Sequence, residues 1–333
     1  MPTRVAVVGT GRLGGFHSKI YAQNDKAQLV CVVDSDRERA GQVALANQCE
    51  VAASIDDLPD GVEAVSVCVP TIHHAEVAIP LLERGIHCLV EKPLAANIEE
   101  ADRMLAAAKK GGAILSVGHV ERFQPGVRKL REMGVKPKFI ECHRLAPFSF
   151  RSMDIGVVHD LMIHDLDLVL HFVESEVESF DAAGGNILTD QEDVASVRLV
   201  FKNGARANVT ASRASMKPMR RFRMFSGHGY VSLDFVDNHG LSVQKGPEWE
   251  KGREELRKLD PAELATRADL FAGGVLGVNQ LELSGEERPL QAELDDFLDA
   301  VIEGKAPEVT GEDGRRALDL ADQISARIAE QSW

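Results

Sequence analysis

Apolar residues in the first part of the chain fall into short continuous runs, and the pattern between them switches to a helical period. The runs Arg4–Val8, Gln28–Asp34, Ala64–Val69, His87–Val90 and Ala113–Val117 predict strands. Leu13–Gln23, Arg37–Asn47, His73–Arg84 and Ile98–Lys109 predict the helices between them. Strands apolar on both faces, alternating with helices, predict a parallel sheet covered on both sides and joined by right-handed crossovers. After about residue 120 the pattern changes. Asn203-Gly204 separates Ala195–Phe201 from Ala205–Ser212, a hairpin signature, and Asn238-His239-Gly240 marks a second turn. Phe222–Ser226 and Tyr230–Val236 add strands to what reads as a mainly antiparallel sheet, with a helix near Asp160–Val173 against it. Gln291–Ile302 and Gly314–Glu330 predict closing helices. The fold class is α/β, in two domains.

The turn after the first strand carries Gly9-Thr10-Gly11-Arg12-Leu13-Gly14. A glycine at the first position permits the tight turn, one at the second lets backbone approach a pyrophosphate, and the third allows close helix–strand packing. The helix that follows offers its N-terminal N–H groups to the anion. Asp34 ends the second strand roughly 20 residues on, where an acidic side chain bonds the adenosine ribose. Its carboxylate repels a 2′-phosphate, so NAD is favoured over NADP, with Arg37 near enough in sequence to soften that repulsion.

Composition narrows the class. The chain has 333 residues, 44% hydrophobic and 27% charged, as expected for a globular protein with a sizeable core. A formal net charge of −14 argues against nucleic acid or anionic membranes as partners. No apolar run reaches the ~18 residues of a membrane span, and the N-terminus enters a strand without a signal-peptide layout. Cys31, Cys49, Cys68, Cys88 and Cys142 form no CxxC pair, which suits free thiols in a cytoplasmic protein.

Two further features carry chemistry. Glu91-Lys92-Pro93 places an ammonium at the carboxyl end of a parallel strand, where open α/β sheets bind ligands. Alone it is a lysine at a strand end. In the segment 159–171, Asp160, His164, Asp167 and His171 share one face at about 3.6 residues per turn, opposite Met162, Ile163, Leu166, Val169 and Leu170. A solvated face, a metal site and an acid–base pair are all compatible with that stripe.

With Gly9–Gly14, Asp34, Glu91-Lys92-Pro93 and Asp160-x-x-x-His164 in this order, the chain resembles the Gfo/Idh/MocA family of sugar and polyol dehydrogenases. Thr71-Ile72-His73-His74, Val117-Gly118-His119 with Arg122-Phe123, and Gly311-Glu312-Asp313-Gly314 extend the resemblance over essentially the whole length. It implies an NAD-binding Rossmann domain over 1–120 and an α/β domain with an open, mainly antiparallel sheet over 121–333 for substrate binding and oligomerisation. The active site is then expected between them, in a homodimer or homotetramer. It implies that Lys92 contacts the substrate hydroxyl and the nicotinamide side, that His164 is the general base and that Asp160 supports it. Gly9, Thr10, Gly11, Arg12, Leu13, Gly14, Asp34, Thr71, His74, Glu91 and Lys92 are expected at the cofactor, and Arg122, Arg151 and Arg213 at the substrate; no metal is expected. Met162 stands where the family commonly has glycine.

The run 151–165, with Val117–Phe123 and Thr210–Arg213, is most similar to a branch that oxidises the 3-hydroxyl of UDP-N-acetylglucosamine, a precursor of lipid A or surface sugars; His159 departs from its pattern. Lys217, Arg220, Arg221 and Arg223 form a basic cluster that suits either a diphosphate or simply the wet side of a strand. A dehydrogenase of a free polyol such as inositol, and a non-catalytic NAD-binding regulator, are the alternatives.

Overall fold

The computed structural model describes residues 1–149, 155–260, 274–283 and 288–331. The chain divides into two units, Met1–Gln124 with Glu286–Gln323, and Pro125–Gly285 with Ile324–Trp333. The expected boundary near residue 120 thus marks the end of the first long stretch, but residues 286–323 rejoin the first unit. Their apolar content explains this. Leu294, Phe297 and Leu298 of the helix Pro289–Glu303 are fully buried in one core with Val5, Val7, Tyr21, Leu29 and Val32.

The first unit is a six-stranded sheet of order β3-β2-β1-β4-β5-β6, every neighbouring pair parallel. Its strands are β1 (Thr3–Val8), β2 (Ala27–Val33), β3 (Glu50–Ala52), β4 (Ala64–Val67), β5 (His87–Glu91) and β6 (Leu115–Gly118). Alternation along β1 sends Val5 and Val7 to one core and Ala6 and Val8 to another, where Val65, Val67, Leu81 and Met104 meet them. Burial on both faces is why these strands read as unbroken apolar runs.

The second unit is an eight-stranded sheet of order β14-β13-β12-β11-β7-β10-β9-β8. The strands are β7 (Phe139–Leu145), β8 (Val177–Gly185), β9 (Val194–Phe201), β10 (Arg206–Ser212), β11 (Met219–Phe225), β12 (Gly229–Asp234), β13 (His239–Lys245) and β14 (Leu276–Glu282). Only β7 and β10 pair in parallel; the other neighbours are antiparallel. The helix Ile163–Val173 covers one face, its Phe172 ring 5.8 Å from that of Phe222 on β11. Gly204 turns the β9–β10 hairpin at φ +84°, as the Asn-Gly pair predicts. All five cysteines are free, and burial pushes the Cys31 thiol up to about 12. Among the described residues, no helix is long and apolar enough to cross a membrane.

Candidate active site

The glycine loop is shaped by contacts that only glycine allows. Gly9 has φ +91°, and a Cβ there would lie 2.6 Å from the Cys68 carbonyl carbon. A Cβ on Gly14 would lie 1.7 Å from the Gly9 carbonyl oxygen. Gly11 has no heavy atom within 4 Å of its Cβ position, so the space beside it is open. It also caps the helix Arg12–Ala22 without any side-chain hydrogen bond to the first N–H groups. Arg12 and Leu13 are exposed at that helix start. Open space, glycine backbone and helix N–H groups together fit a pyrophosphate.

Asp34 closes the other end of this cradle. Its Oδ2 accepts from the N–H and hydroxyl of Thr10 at 2.6 and 2.8 Å, which ties the end of β2 to the glycine loop. Burial works to raise its pKa, but Arg39 and the N–H groups of Asp36 and Thr10 outweigh that and hold the carboxyl below the usual range. The arginine that meets Asp34 is Arg39, not Arg37. Asp36 caps the helix Arg37–Asn47 by accepting from the Arg39 N–H, and the first turn brings residue 39 back over β2 while Arg37 stays exposed.

Lys92 follows β5 directly, is half-buried, and precedes a cis-proline. Two buried histidines hold the chain around it. His17 Nε2 lies 3.1 Å from Glu91 Oε1, so the Glu91 side chain turns into the unit. Burial favours the neutral acid, yet the His17 bond and the Lys92 charge outweigh it and lower the Glu91 pKa. Cys68 lies close by, and the donor atoms of His17, Cys68 and Glu91 all fall within 4.8 Å of one another. His74 is 1% exposed, with Nδ1 3.0 Å from the Pro93 carbonyl and Nε2 3.0 Å from the Val69 carbonyl. Its ring therefore buttresses the Lys92 turn from within. Thr71 lies half-buried in the single turn Thr71–His73 after β4.

In the second unit, His164 and Asp160 belong to one continuous helical segment whose start is irregular. Val158–Met162 form a π turn before the regular helix Ile163–Val173. Such turns are frequent at functional sites, and Asp160 lies within this one. The polar face differs from expectation: Asp167 is fully buried, while Asp160, His164 and His171 are half-buried. Met162 is also fully buried, so its bulk lies within the packing of the helix. Arg144 on β7 pins the helix through two 2.8 Å bonds to Asp165. Glu192 secures the π turn, accepting from the Val158 N–H at 3.2 Å and from the Ser325 hydroxyl at 3.1 Å.

Two of the arginines expected at the substrate, Arg213 and Arg122, are buried and engaged in ion pairs. Arg213 is 5% exposed, and its Nε donates to Asp193 at 2.8 Å, securing the loop 187–193 beside Glu192. Arg122 is 4% exposed and donates to the Glu308 carbonyl at 3.0 Å and to Asp313 at 3.3 Å. Arg151 lies outside the described residues. Of the basic cluster, Arg221 and Arg223 lie on the wet side of β11, whereas Arg220 shares the face of Phe222 and Met224. Arg221 pairs with Asp234 at 2.7 Å, Arg223 with Glu141 at 2.8 Å, and Arg220 lies over the Phe235 ring, while Phe222 and Met224 are buried.

Residues 3–119 match the family model described as oxidoreductase family, NAD-binding Rossmann fold, and residues 141–232 match the GFO/IDH/MocA C-terminal domain. The chain belongs to the Gfo/Idh/MocA oxidoreductase family. Within it, the UDP-N-acetylglucosamine 3-dehydrogenase of Acidithiobacillus ferrooxidans is 36% identical over 99% of this chain and 98% of its own. The solved structure of that enzyme superposes with a TM-score of 0.86 over 99% of each chain. The myo-inositol 2-dehydrogenase of Thermotoga maritima is 28% identical over 98% of this chain and 97% of its own. Levoglucosan dehydrogenase, solved with NADH and L-sorbose, shares the fold at 20% identity and a TM-score of 0.81, covering 100% of this chain and 98% of its own. As a Gfo/Idh/MocA oxidoreductase, the chain carries an NAD-binding Rossmann domain.

Proposed function

We propose that this protein oxidises a secondary hydroxyl of a UDP-linked N-acetylhexosamine, at its 3-position, with NAD as acceptor. The observation that carries the substrate is the 36% identity to the UDP-N-acetylglucosamine 3-dehydrogenase, sustained over 99% of this chain. When bound, NAD accepts the hydride released from the carbinol carbon. A ring nitrogen of His164 takes the hydroxyl proton, and Asp160 orients that imidazole. Lys92 stabilises the negative charge that grows on the oxygen as the proton leaves. The buried supports of Lys92 and the Arg144–Asp165 clasp on the His164 helix keep both groups in place before substrate arrives.

A free polyol such as inositol is the second reading. It is favoured by the inositol dehydrogenase match, and by the carboxylate partners that Arg221 and Arg223 of the basic cluster already have. We also propose that copies associate through the face of the second sheet lined by His143, Leu145, Tyr230 and Leu241, within the cytoplasm. Light scattering showing a monomer at micromolar concentration would remove that part.

Lys92→Ala and His164→Ala, made separately, test the chemistry. Each is expected to lower kcat by about 10²–10⁴-fold while NAD still binds. Near-normal turnover in either variant would overturn the corresponding role.

A further inference from the structure

Four side chains of metal-binding type gather inside the first unit, beneath the glycine loop. His17 comes from the helix Arg12–Ala22, Cys68 follows β4, Glu91 ends β5, and Glu293 belongs to the helix Pro289–Glu303. His17 is fully buried, and Glu91 and Glu293 are 8% and 2% exposed. Cys68 backs the loop itself, since a Cβ on Gly14 would lie 3.3 Å from the Cys68 Cβ. One donor atom each from His17, Cys68 and Glu91 falls within 4.8 Å of the others, and the His17–Glu91 contact is 3.1 Å. In a tetrahedral zinc site, bonds of about 2.0–2.3 Å put donor atoms roughly 3.3–3.8 Å apart. The folded set stands within about 1 Å of that spacing.

Protein partners leave this cluster incompletely satisfied. Buried polar groups are nearly always hydrogen-bonded, and an exception calls for an explanation such as an ion. Among the described residues, neither Glu293 oxygen has a partner, and nor does His17 Nδ1. After burial itself, the Glu91 charge acts on Glu293 more strongly than any other, and both acids act on the Cys68 thiol. Two buried acids thus lie close together, and a divalent cation satisfies both. The donor types choose the cation: thiolate and imidazole suit zinc and its softer relatives, whereas magnesium and calcium take oxygen ligands. Cys68, the one member of the four that is only partly buried, marks the side from which an ion enters.

We propose that His17, Cys68 and Glu91 form a site for a zinc-class divalent cation, with Glu293 as the adjoining acid that its charge satisfies. Binding replaces the His17–Glu91 hydrogen bond with metal bonds to both residues, and the Cys68 thiol gives up its proton to solvent. The ion ties the helix that opens the cofactor cradle to the ends of β4 and β5, behind Lys92. It takes no part in hydride transfer, and the inference holds whichever sugar is oxidised.

Cadmium titration of the full-length protein, first stripped with a chelator, tests it, because a cadmium–thiolate bond absorbs in the ultraviolet. Wild-type protein is expected to take up one equivalent with a micromolar or lower dissociation constant, and zinc should compete the absorption away. Cys68→Ser should abolish the absorption, while His17→Gln and Glu293→Gln should each weaken binding about tenfold or more. Zinc at about a hundredfold excess over its dissociation constant should raise the melting temperature by about 3 °C or more, and magnesium at the same concentration should not. Cys68→Ser changes one atom and Glu293→Gln keeps the side-chain shape, so both are expected to fold, as circular dichroism verifies. No uptake by wild-type protein, an undiminished absorption in Cys68→Ser, or an affinity that neither His17→Gln nor Glu293→Gln alters would overturn the proposal. Equal stabilisation by magnesium would do the same.

Discussion

His17 and Glu91 stand 74 residues apart in the chain and meet at 3.1 Å in the buried interior of the first unit, directly behind Lys92. Helix Arg12–Ala22 supplies the first and the end of β5 the second. The pair links the helix that opens the cofactor cradle to the residue that precedes the proposed catalytic lysine. His17→Ala would leave a buried carboxylate without its hydrogen-bonding partner, at a cost of about 3–5 kcal/mol. Urea unfolding is expected to show that loss. Glu91→Gln, which keeps the shape, should cost less. Equal stability of His17→Ala and wild-type protein would show that the pair holds nothing.

His74 supports the same turn from the other side. His74→Ala removes a ring whose nitrogens lie 3.0 Å from carbonyls of both the Val69 and Pro93 segments, and should cost about 1–3 kcal/mol. Because Lys92 loses its backing while the glycine loop does not, kcat should fall about tenfold or more with the NAD dissociation constant little changed. Steady-state kinetics alongside a binding titration separate these. A loss of NAD affinity with kcat preserved would place His74 at the cofactor instead.

The first unit was readable because its strands are apolar on both faces and its helices carry a clear period; β1, β2, β4 and β5 fall within two residues of expectation at each end. β3 escaped notice because three residues carry too little pattern. β7 was hidden by its own chemistry: it alternates correctly, but one inward position is Arg144, charged and buried only because Asp165 receives it. The order of Lys92, Asp160 and His164 was visible in the sequence. Their supports were not, since His17, His74 and Arg144 act on partners remote in sequence. The π turn at Val158–Met162 likewise leaves no mark that a regular helical period can register.

Gly11 and Gly14 should respond differently to the same substitution. Gly14→Ala forces a methyl group against the Gly9 carbonyl, so both stability and NAD binding should fall. Gly11→Ala meets no described residue within 4 Å, so the melting temperature should hold while the methyl group obstructs the pyrophosphate. Thermal melts with and without NAD read both effects. Loss of stability in Gly11→Ala would show that its open side is needed for folding.

One buried and one half-buried carboxyl give opposite pH dependences. Burial, then the charge of Glu91, pushes the Glu293 pKa well above 4.5, so its neutral form is favoured and its contribution to stability declines as pH rises above 4.5. Neither Glu293 oxygen has a hydrogen-bond partner among the described residues. Glu293→Gln should therefore gain stability relative to wild-type progressively from pH 5 toward neutrality. Asp313 is the reverse: burial raises it, but Arg122, Thr310 and Arg316 outweigh this and set it at about 2. Its contribution is complete above 3.8 and is lost as pH falls toward 2. Asp313→Asn should lose most of its deficit relative to wild-type in that acid range. Melting curves across pH with parallel slopes for variant and wild-type would refute either assignment.

The most direct measurement is the initial rate of NADH formation by the wild-type protein with UDP-N-acetylglucosamine, set beside the rate with myo-inositol at the same concentration. Rapid NADH formation with the nucleotide sugar, lost in Lys92→Ala and in His164→Ala, is the expected result. NADH formation with inositol alone, or an undiminished rate in both variants, would contradict it.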